Sequence, residues 1–416
     1  MESDIRNATS KYQIGGVAGH RPQEHLFSIK SLIYKYQKQK KLLIFFSNDV
    51  SKFFDKEVLT DCMQELASAN VDSKAYRLFY KLNAATRIRV RTGCGYSRWE
   101  EAGDLLGQGS GGAAKVSALN LDRKIALMFE GGNEMARYGR VTQQPYSFQD
   151  DAVTVVEDLE GLRSAVVKMD AVMKIMQVDQ NKDKTGYILM GPKHKVKEVR
   201  DRVKKNPVKC GDWEVKEMEK EKWLGDWFTN GLQESVMATI CDRAPKIPRA
   251  SFDIVNIVKD YRAQRAGGFL TGLILWESCC IPSQIYNSGC WMAMTKKEED
   301  ALSECQDFFL RLLLGTGPGA PKVALRADSG TCSMPMRVKK EKLMMVKHIK
   351  ELDLDSLAKE MYEEQVKNSW PGLAQEAEDI CKELFVENVN TTKKSKAEFS
   401  KDVKEAVIVM DEVRMK

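Results

Sequence analysis

Two acidic segments of the sequence have the residue types and the spacing that a metal site needs. The first is Asp49, which follows the apolar run Leu42–Phe46. The second is the pair Asp150-Asp151, which has apolar residues on both sides. The first pattern predicts a buried strand that ends in a carboxylate, and the second predicts a β-hairpin with two carboxylates at its tip.

Adjacent carboxylates in a poorly solvated site repel each other, and a divalent cation removes that conflict. Oxygen ligands suit Mg²⁺, which usually keeps water and substrate phosphates in its coordination shell. Two such ions can activate an attacking oxygen and stabilise a leaving oxygen in an in-line phosphoryl displacement. A plain polar turn at Asp150-Asp151 is the alternative, because this dipeptide is common.

A glycine loop at Gly107–Gly112 fits the pattern G-x-G-x-x-G. A dinucleotide-binding loop of this pattern directly follows a buried strand, and a phosphate-binding P-loop ends in Gly-Lys-Ser or Gly-Lys-Thr. The preceding segment Arg98–Leu106 is not typical of a buried strand, and no Lys-Ser or Lys-Thr follows the glycines. We therefore expect a loop whose bare backbone lets a base or a sugar approach closely, and not a cofactor site.

Hydrophobic periodicity predicts the elements that position these residues. Apolar residues at helical spacing predict helices near 26–36, over 58–85 and 113–129, and over 159–176. Short apolar runs predict strands at 42–46, 87–92 and 187–190, and on both sides of the acidic pair. Beyond about residue 230 the pattern is mainly helical. We expect boundaries near 230 and near 295.

The net charge of +6 is concentrated in a few stretches. The segment Lys193–Lys209 alone carries eight basic and two acidic residues. Arg87, Arg89 and Arg91 alternate, which would place three guanidinium groups on one face of a strand. Such stretches suit a phosphate backbone laid along a single groove, although for any one of them alone a solvated face is the favoured explanation.

The sequence gives no sign of a membrane protein. Its longest apolar run, near Phe269–Trp276, is far shorter than the roughly 20 residues of a membrane span. The start, Met1–Tyr12, has no apolar signal-peptide core. Ten cysteines without a CxxC pair are typical of reduced thiols, so we expect a nuclear or cytoplasmic location and no membrane partner.

The order of these motifs resembles that of the reverse transcriptases of non-LTR retrotransposons, over about residues 12–240. Asp49 corresponds to the first catalytic aspartate of that family, and Phe148-Gln149-Asp150-Asp151 to its aromatic-x-Asp-Asp box. The box usually begins with tyrosine, and Phe148 takes that place here. The remaining matches are Phe54, the Gln-Gly-Ser motif at Gln108-Gly109-Ser110, Lys184, and the primer-grip motif Trp223-Leu224-Gly225.

The resemblance implies RNA-directed DNA synthesis with two Mg²⁺ ions, or Mn²⁺ in their place. Asp49, Asp150 and Asp151 would be the catalytic metal ligands, together with the backbone carbonyl of Val50. The expected partners are an RNA template, a DNA primer and deoxynucleoside triphosphates. The implied nucleotide-binding residues are Phe54, Gln108, Gly109 and Lys184, the primer grip is Trp223, Leu224 and Gly225, and the nucleic-acid contacts are Arg87, Arg89, Arg91, Lys193, Lys195 and Lys197.

The implied fold class is α+β. A right-hand polymerase palm, an antiparallel sheet with packed helices, would occupy residues 1–230 with part of the fingers. A helical thumb would follow over 231–295, and a helical region of unassigned role over 296–416. We find no match to the early fingers or to an endonuclease, so the expectation is a partial copy of such an element.

Two other functions fit the sequence. An RNA-directed RNA polymerase shares the palm, but Phe54 and Gln108-Gly109 favour the reverse transcriptase. A catalytically inactive descendant that only binds nucleic acid is the second alternative. The choice between ribonucleotides and deoxynucleotides in primer extension distinguishes the RNA polymerase from the reverse transcriptase. Binding of nucleic acid without extension would indicate the inactive descendant.

Overall fold

The computed structural model describes residues 1–51, 53–84, 87–101, 106, 112–132, 134–262, 267–292 and 294–415. These residues form two compact units. Unit 1 contains Met1–His25, Tyr36–Glu221 and Asp355–Leu357, and unit 2 contains Leu26–Lys35, Lys222–Leu354 and Ala358–Lys416. The predicted thumb and C-terminal boundaries stay predictions.

Unit 1 is built on a five-stranded sheet with strand order β13-β10-β1-β8-β7. The first strand pairs antiparallel with β8 on one side and with β10 on the other, and only β13 joins in parallel. The strands of this sheet are β1 (Leu43–Asn48), β7 (Tyr146–Phe148), β8 (Asp151–Val156), β10 (Gly186–Met190) and β13 (Lys216–Glu217).

The central strand is buried along its whole length, which explains why its sequence is an apolar run without alternation. The strands predicted at 42–46, at 187–190 and beside the acidic pair are confirmed. The segment 87–92 differs, because it forms two short strands and not one. The two-residue strands of unit 1 are β2 (Val50–Ser51), β3 (Arg87–Ile88), β4 (Arg91–Thr92), β5 (Gly95–Tyr96), β6 (Glu100–Glu101), β9 (Asp179–Gln180), β11 (Lys209–Cys210) and β12 (Trp213–Glu214).

Helices cover one face of this sheet. The apolar side chains of α6, α7 and α8 share one core with Ile44, Phe46, Ala152 and Leu189 of the sheet. The N-cap Asp158 starts α7 by accepting a hydrogen bond from the backbone N–H of Gly161 at 2.8 Å. These helices are α6 (Ala113–Phe129), α7 (Leu159–Ile175) and α8 (Lys193–Lys205).

A second, smaller core of unit 1 joins the N-terminus to α6. Ile5, Leu59, Leu66, Phe79 and Leu119 are buried together there. The side chain of Asp72 caps helix α5 by accepting hydrogen bonds from the backbone N–H groups of residues 74 and 75. The helices are α1 (Glu2–Ala8), α2 (Pro22–Lys38), whose middle belongs to unit 2, α3 (Phe53–Lys56), α4 (Leu59–Ser68) and α5 (Ser73–Asn83).

Unit 2 is mainly helical, as the sequence predicts. Its main core places Trp276 against Phe309, with stacked rings 4.2 Å apart. A hairpin of β14 (Glu221–Trp223) and β15 (Asp226–Phe228) opens the unit, and Trp276–Cys280 forms a π-helical turn. The helices are α9 (Leu232–Arg243), α10 (Lys246–Arg262), α11 (Gly268–Leu275), α12 (Ile281–Gln284), α13 (Lys296–Leu314), α14 (Lys322–Ser329), α15 (Met334–Glu351), α16 (Leu357–Lys367), α17 (Leu373–Glu383) and α18 (Lys396–Met415), with a 3₁₀ turn at Ser288–Cys290.

The chain thus has the mixed helix and sheet content that the sequence predicts. Within the described ranges, no helix has both the length and the apolar character needed to cross a bilayer.

Candidate active site

The backbone around Asp49 is held in place by the turn between β9 and β10. The N–H of Asp49 donates to the hydroxyl of Thr185 at 3.2 Å, and its carbonyl accepts from the N–H of Asn181 at 2.9 Å. The side chain of Asp49 is 23% exposed, and its Oδ1 lies 3.8 Å from Nζ of Lys184. The strand-end carboxylate is therefore fixed at the backbone and accessible at its head group.

The strand register brings this carboxylate to the acidic hairpin. Asn48, the last residue of β1, pairs with Ala152, and the same register extended by one residue sets Asp49 opposite Asp151. Opposite residues in antiparallel strands have Cβ atoms about 4.5–5.5 Å apart. Asp150 occupies the turn of the hairpin, which closes at the pair Phe148–Asp151. All three predicted carboxylates therefore lie at one rim of the sheet.

Asp49 and Asp151 also share a face of the sheet. Side chains alternate along a strand, and Val50 and Ala152 belong to the core beneath the helices. Asn48 points the same way, because its amide contacts Sδ of Met173 at 3.9 Å. Asp49 and Asp151 therefore point to the opposite face, away from α7.

The tip of the hairpin is held by a residue that the sequence analysis did not single out. Gln149 has a φ of 58°, a left-handed conformation that disfavours residues other than glycine and asparagine. The amide of Gln13 donates to the carbonyl of Gln149 and accepts from its N–H, both at 3.0 Å. A Cβ on Gly15 would lie 2.1 Å from that nitrogen, so only glycine fits there. No sequence signal marks Gln13, because its partner is 136 residues away.

Burial and the repulsion of neighbouring carboxylates raise the pKa values of Asp150 and Asp151. Burial, with Asp49 adding to it, raises the pKa of Asp150. Burial, then Asp150 and then Asp49, raise the pKa of Asp151 to about 6. Lys184 opposes both shifts. The site thus has an excess of negative charge that one exposed lysine only partly offsets.

A fourth carboxylate, Glu221, belongs to the same electrostatic group. Burial, then Asp49 and Asp151, raise the pKa of Glu221 to about 7. The residue lies in a stretch rich in lysine and glutamate, where sequence alone cannot distinguish it from a solvated charge. Sequence reasoning missed it for that reason.

The donor chemistry of this rim suits a hard cation, although the side chains are not assembled as a closed cage. Among the described residues, no three His, Cys, Asp or Glu side chains form a group arranged to hold a metal ion. Mg²⁺ at phosphate-processing sites takes one or two carboxylates and completes its shell with water and substrate phosphates. A facing pair such as Asp49 and Asp151 fits that mode.

The carbonyl of Val50 is directed away from β9. Hydrogen-bonded and non-hydrogen-bonded pairs alternate along an antiparallel ladder. Asn181 donates to Asp49, so that pair is hydrogen-bonded, and the next pair, Val50 with Gln180, is not. The predicted role of Val50 as a metal ligand requires such an orientation, and it stays a prediction.

Part of the predicted nucleotide pocket cannot be placed. Gln108 and Gly109 lie outside the described residues, as does the rest of the loop before Gly112. Phe54 belongs to α3, but the structure does not describe its side chain. Gly112 is the N-cap of α6 with a φ of 87°, so the loop enters its helix through a left-handed glycine.

The basic helix α8 carries Lys193, Lys195 and Lys197. Its Val196 and Val199 are buried in the core that it shares with α7. The helix therefore packs on the face opposite the one to which Asp49 and Asp151 point. This placement argues against a single groove that contains both the lysines and the carboxylates. The predicted nucleic-acid contacts of the three lysines stay a prediction.

The three arginines at positions 87, 89 and 91 lie on an exposed hairpin and not on a single strand. Each of them is exposed. Arg87 lies 3.5 Å from Glu101, and Arg89 lies over the ring of Tyr96. Only part of their charge is therefore available to a phosphate backbone.

The predicted primer-grip residues form the turn between β14 and β15, in unit 2. Leu224 and Gly225 both have positive φ, at 48° and 87°, as a tight hairpin turn of this twist requires. Asn287 donates to the carbonyl of Leu224 at 2.9 Å, and Arg243 to that of Gly225 at 2.8 Å. Trp223 is 3% exposed.

A buried ionic network lies directly behind this turn. Asp226 is fully buried and accepts from Lys30, from Arg243 at 2.9 Å and from the indole N–H of Trp291 at 2.9 Å. Burial raises the pKa of Asp226, but the two cations outweigh it and hold that pKa below its usual value. The network connects the turn to three segments of unit 2 that lie far apart in the chain.

No protein-family model matches the chain, and no curated protein matches its sequence. Similar solved structures include apo telomerase from Candida tropicalis, with 9% identity and a TM-score of 0.42 over 97% of this chain and 59% of that chain. A structure of the same telomerase truncated from the C-terminal domain has 10% identity and a TM-score of 0.38, over 55% of this chain and 41% of that chain. An RdRp complex has 10% identity and a TM-score of 0.35, over 100% of this chain and 40% of that chain. The chain thus spans between 40% and 59% of the length of these structures.

Proposed function

We propose that this chain is the catalytic core of an RNA-directed DNA polymerase of the retrotransposon type. The observation that carries the proposal is the register of β1 with β8, which sets Asp49 opposite Asp151 and beside the hairpin turn at Asp150. Negative charges accumulate there and Lys184 offsets them only in part, as expected of a site that works with bound cations.

Asp49 and Asp151 point to the face of the sheet opposite α7, and Asp150 lies beside them in the hairpin turn. In this proposal Asp49 and Asp150 hold both metal ions, the carbonyl of Val50 assists them, and Asp151 completes the acidic group. Two bound Mg²⁺ ions, or Mn²⁺, would activate the primer 3′ hydroxyl and stabilise the leaving pyrophosphate. The protein contributes position: Thr185 and Asn181 fix Asp49, and Gln13 fixes the hairpin tip.

Lys184 lies beside the acidic group, and we give it a role in the proposed reaction. Its ammonium group is 66% exposed and lies 3.8 Å from Asp49. From there it would neutralise phosphate charge or protonate the departing pyrophosphate. Phe54, Gln108 and Gly109 are proposed nucleotide contacts, and the turn at Leu224-Gly225 a proposed primer contact, on the family resemblance alone.

Primer extension on an RNA template tests the proposal. The wild-type chain is expected to add deoxynucleotides to a DNA primer when Mg²⁺ is present, and Asp150→Asn to reduce extension to background. Asp183→Asn is the matched control, because Asp183 is an exposed aspartate of the turn before Lys184. Extension with ribonucleotides alone would favour an RNA polymerase instead.

A second candidate function is nucleic-acid binding without catalysis. The described side chains do not form a ready group of three metal ligands, which is what a decayed site would show. Tight binding of a primer–template with no extension in Mg²⁺ or Mn²⁺ would identify this alternative.

A further inference from the structure

The hairpin from Arg87 to Glu101 contains a β-bulge that gathers cationic and aromatic side chains. At its base Ile88 pairs with Glu100, and near its tip Arg91 pairs with Tyr96. The second strand therefore has one extra residue between these pairs, so that Arg98 and Trp99 together lie opposite Arg89. A bulge of this kind changes the direction of a side chain, and here it turns Trp99 towards Arg89.

Two exposed rings lie against the guanidinium group of Arg89. Its Cζ is 4.0 Å from the ring centroid of Tyr96 and 4.5 Å from that of Trp99. The rings are 57% and 54% exposed, although large aromatic side chains are usually buried. The contact between Arg89 and the two rings limits the rotamers of all three side chains while their outer surfaces stay in water.

The charge of the hairpin favours an anionic partner. It contains four arginines and two glutamates, so its net charge is +2. The glutamates pair with Arg87 at 3.5 Å and with Arg98 at 2.5 Å. Arg89 and Arg91 have no carboxylate partner in the part of the chain that the structure describes. Arg91 pairs across the strands with Tyr96, so an unpaired cation and an exposed ring stand side by side.

We propose that this hairpin is a binding platform for a single strand of nucleic acid. The face of a base would stack on Trp99 or Tyr96, and Arg91 would contact the adjacent phosphate. Stacking on aromatic rings beside a basic groove binds single strands with little sequence preference, because every base has a π-face. The inference rests on the proposed function in one respect: the strand that such an enzyme must hold is the unpaired template.

Binding of a labelled single-stranded RNA, followed by fluorescence anisotropy without metal or nucleotides, tests this assignment. Trp99→Ala is expected to raise the Kd about tenfold, the loss typical of one stacked base. Val90→Ala is the matched control, because Val90 is 64% exposed on the same hairpin but has no ring. Its Kd should equal that of the wild type.

The salt dependence separates stacking from charge. Arg91→Ala should reduce the slope of log K against log salt by about 0.7, the value for one phosphate contact on a single strand. Trp99→Ala should leave that slope unchanged. A blunt RNA duplex should bind the wild type and Trp99→Ala equally, because its bases are already stacked on one another.

Two results would overturn the proposal. One is an unchanged Kd in Trp99→Ala. The other is an equal loss in Val90→Ala, which would indicate that RNA binding depends on the integrity of the hairpin and not on stacking on the Trp99 ring. The assay needs no catalysis, so single-strand binding through Trp99 without primer extension would refute the proposed enzyme but not the platform. Extension by a chain whose Trp99→Ala variant binds normally would refute the platform alone.

Discussion

Replacing Asp151 by asparagine removes one charge from the acidic rim and should stabilise the metal-free chain at neutral and alkaline pH. Its folded pKa is about 6, against 3.8 for an unperturbed aspartate. An acid with a raised folded pKa supports the fold while it is protonated, and this support is lost as the pH rises through the folded pKa. One pKa unit corresponds to about 1.36 kcal/mol.

The magnitude follows from the two pKa values. Relative to a neutral side chain, Asp151 should lower the free energy of unfolding by about 0.6 kcal/mol at about pH 4 and by about 3 kcal/mol at about pH 8. The free energy of unfolding of Asp151→Asn should exceed that of the wild type by those amounts. Glu221 also titrates in this range, and its pKa should fall in Asp151→Asn because the charge of Asp151 helps to raise it, so its change adds to the gain in the variant.

Urea unfolding in the presence of a chelator measures this difference. The midpoint of Asp151→Asn should exceed that of the wild type at about pH 8, and the two should nearly coincide at about pH 4. Asp183→Asn is the matched control, because it removes the charge of an exposed aspartate. A gain of equal size at both pH values would refute the reasoning, because a charge effect must follow titration. Added Mg²⁺ should raise the wild-type midpoint more than the mutant midpoint.

Three further substitutions test the supports of the site and of the turn. Gln13→Ala should lower the free energy of unfolding by about 1–3 kcal/mol and speed hydrogen exchange at the N–H of Gln149, which loses its acceptor. Gly15→Ala should destabilise by about 1–3 kcal/mol or more, because its Cβ meets backbone at 2.1 Å, and a folded, fully stable variant would contradict this. Asp226→Asn should cost about 3–5 kcal/mol by leaving two buried cations uncompensated, whereas Asp242→Asn, at an exposed ion pair, should cost about 1 kcal/mol or less.

The helices and strands around the acidic rim could be predicted because their buried positions are apolar and recur at the spacing of a helix or a strand. Ala113–Phe129 is helical over the range that its apolar spacing predicts, and Leu43–Asn48 is a strand where a continuous apolar run predicts one. The segment 87–92 was harder, because exposed strands bury no apolar side and pair only locally. Its bulge depends on the register of two short ladders, which periodicity does not encode.

The basic stretch of α15 shows the limit of charge counting. As a run of lysines and arginines it suits a phosphate backbone, but in the structure five of its six lysines and arginines contact neighbouring helices and loops. Basic residues that face solvent and basic residues that form intramolecular ion pairs and hydrogen bonds have the same composition, so sequence cannot separate them. The ion pairs are Arg337 with Glu277, Lys339 with Glu383 at 2.6 Å and Lys342 with Glu376 at 2.7 Å. Lys347 donates to the carbonyl of Lys394 at 2.6 Å, and Lys350 to the carbonyl of Val389 at 3.0 Å.

The sequence by itself determined where carboxylates follow apolar strands, which segments are helical, and in which order the motifs run. These are local properties, because side-chain type and backbone period are written residue by residue. Only the tertiary structure decided that Asp49 faces Asp151, that Glu221 joins them, and that α8 packs behind the sheet. Those relations join segments that are far apart in the chain. They depend on strand register and on which face packs inward, and a shift of one residue would reverse both.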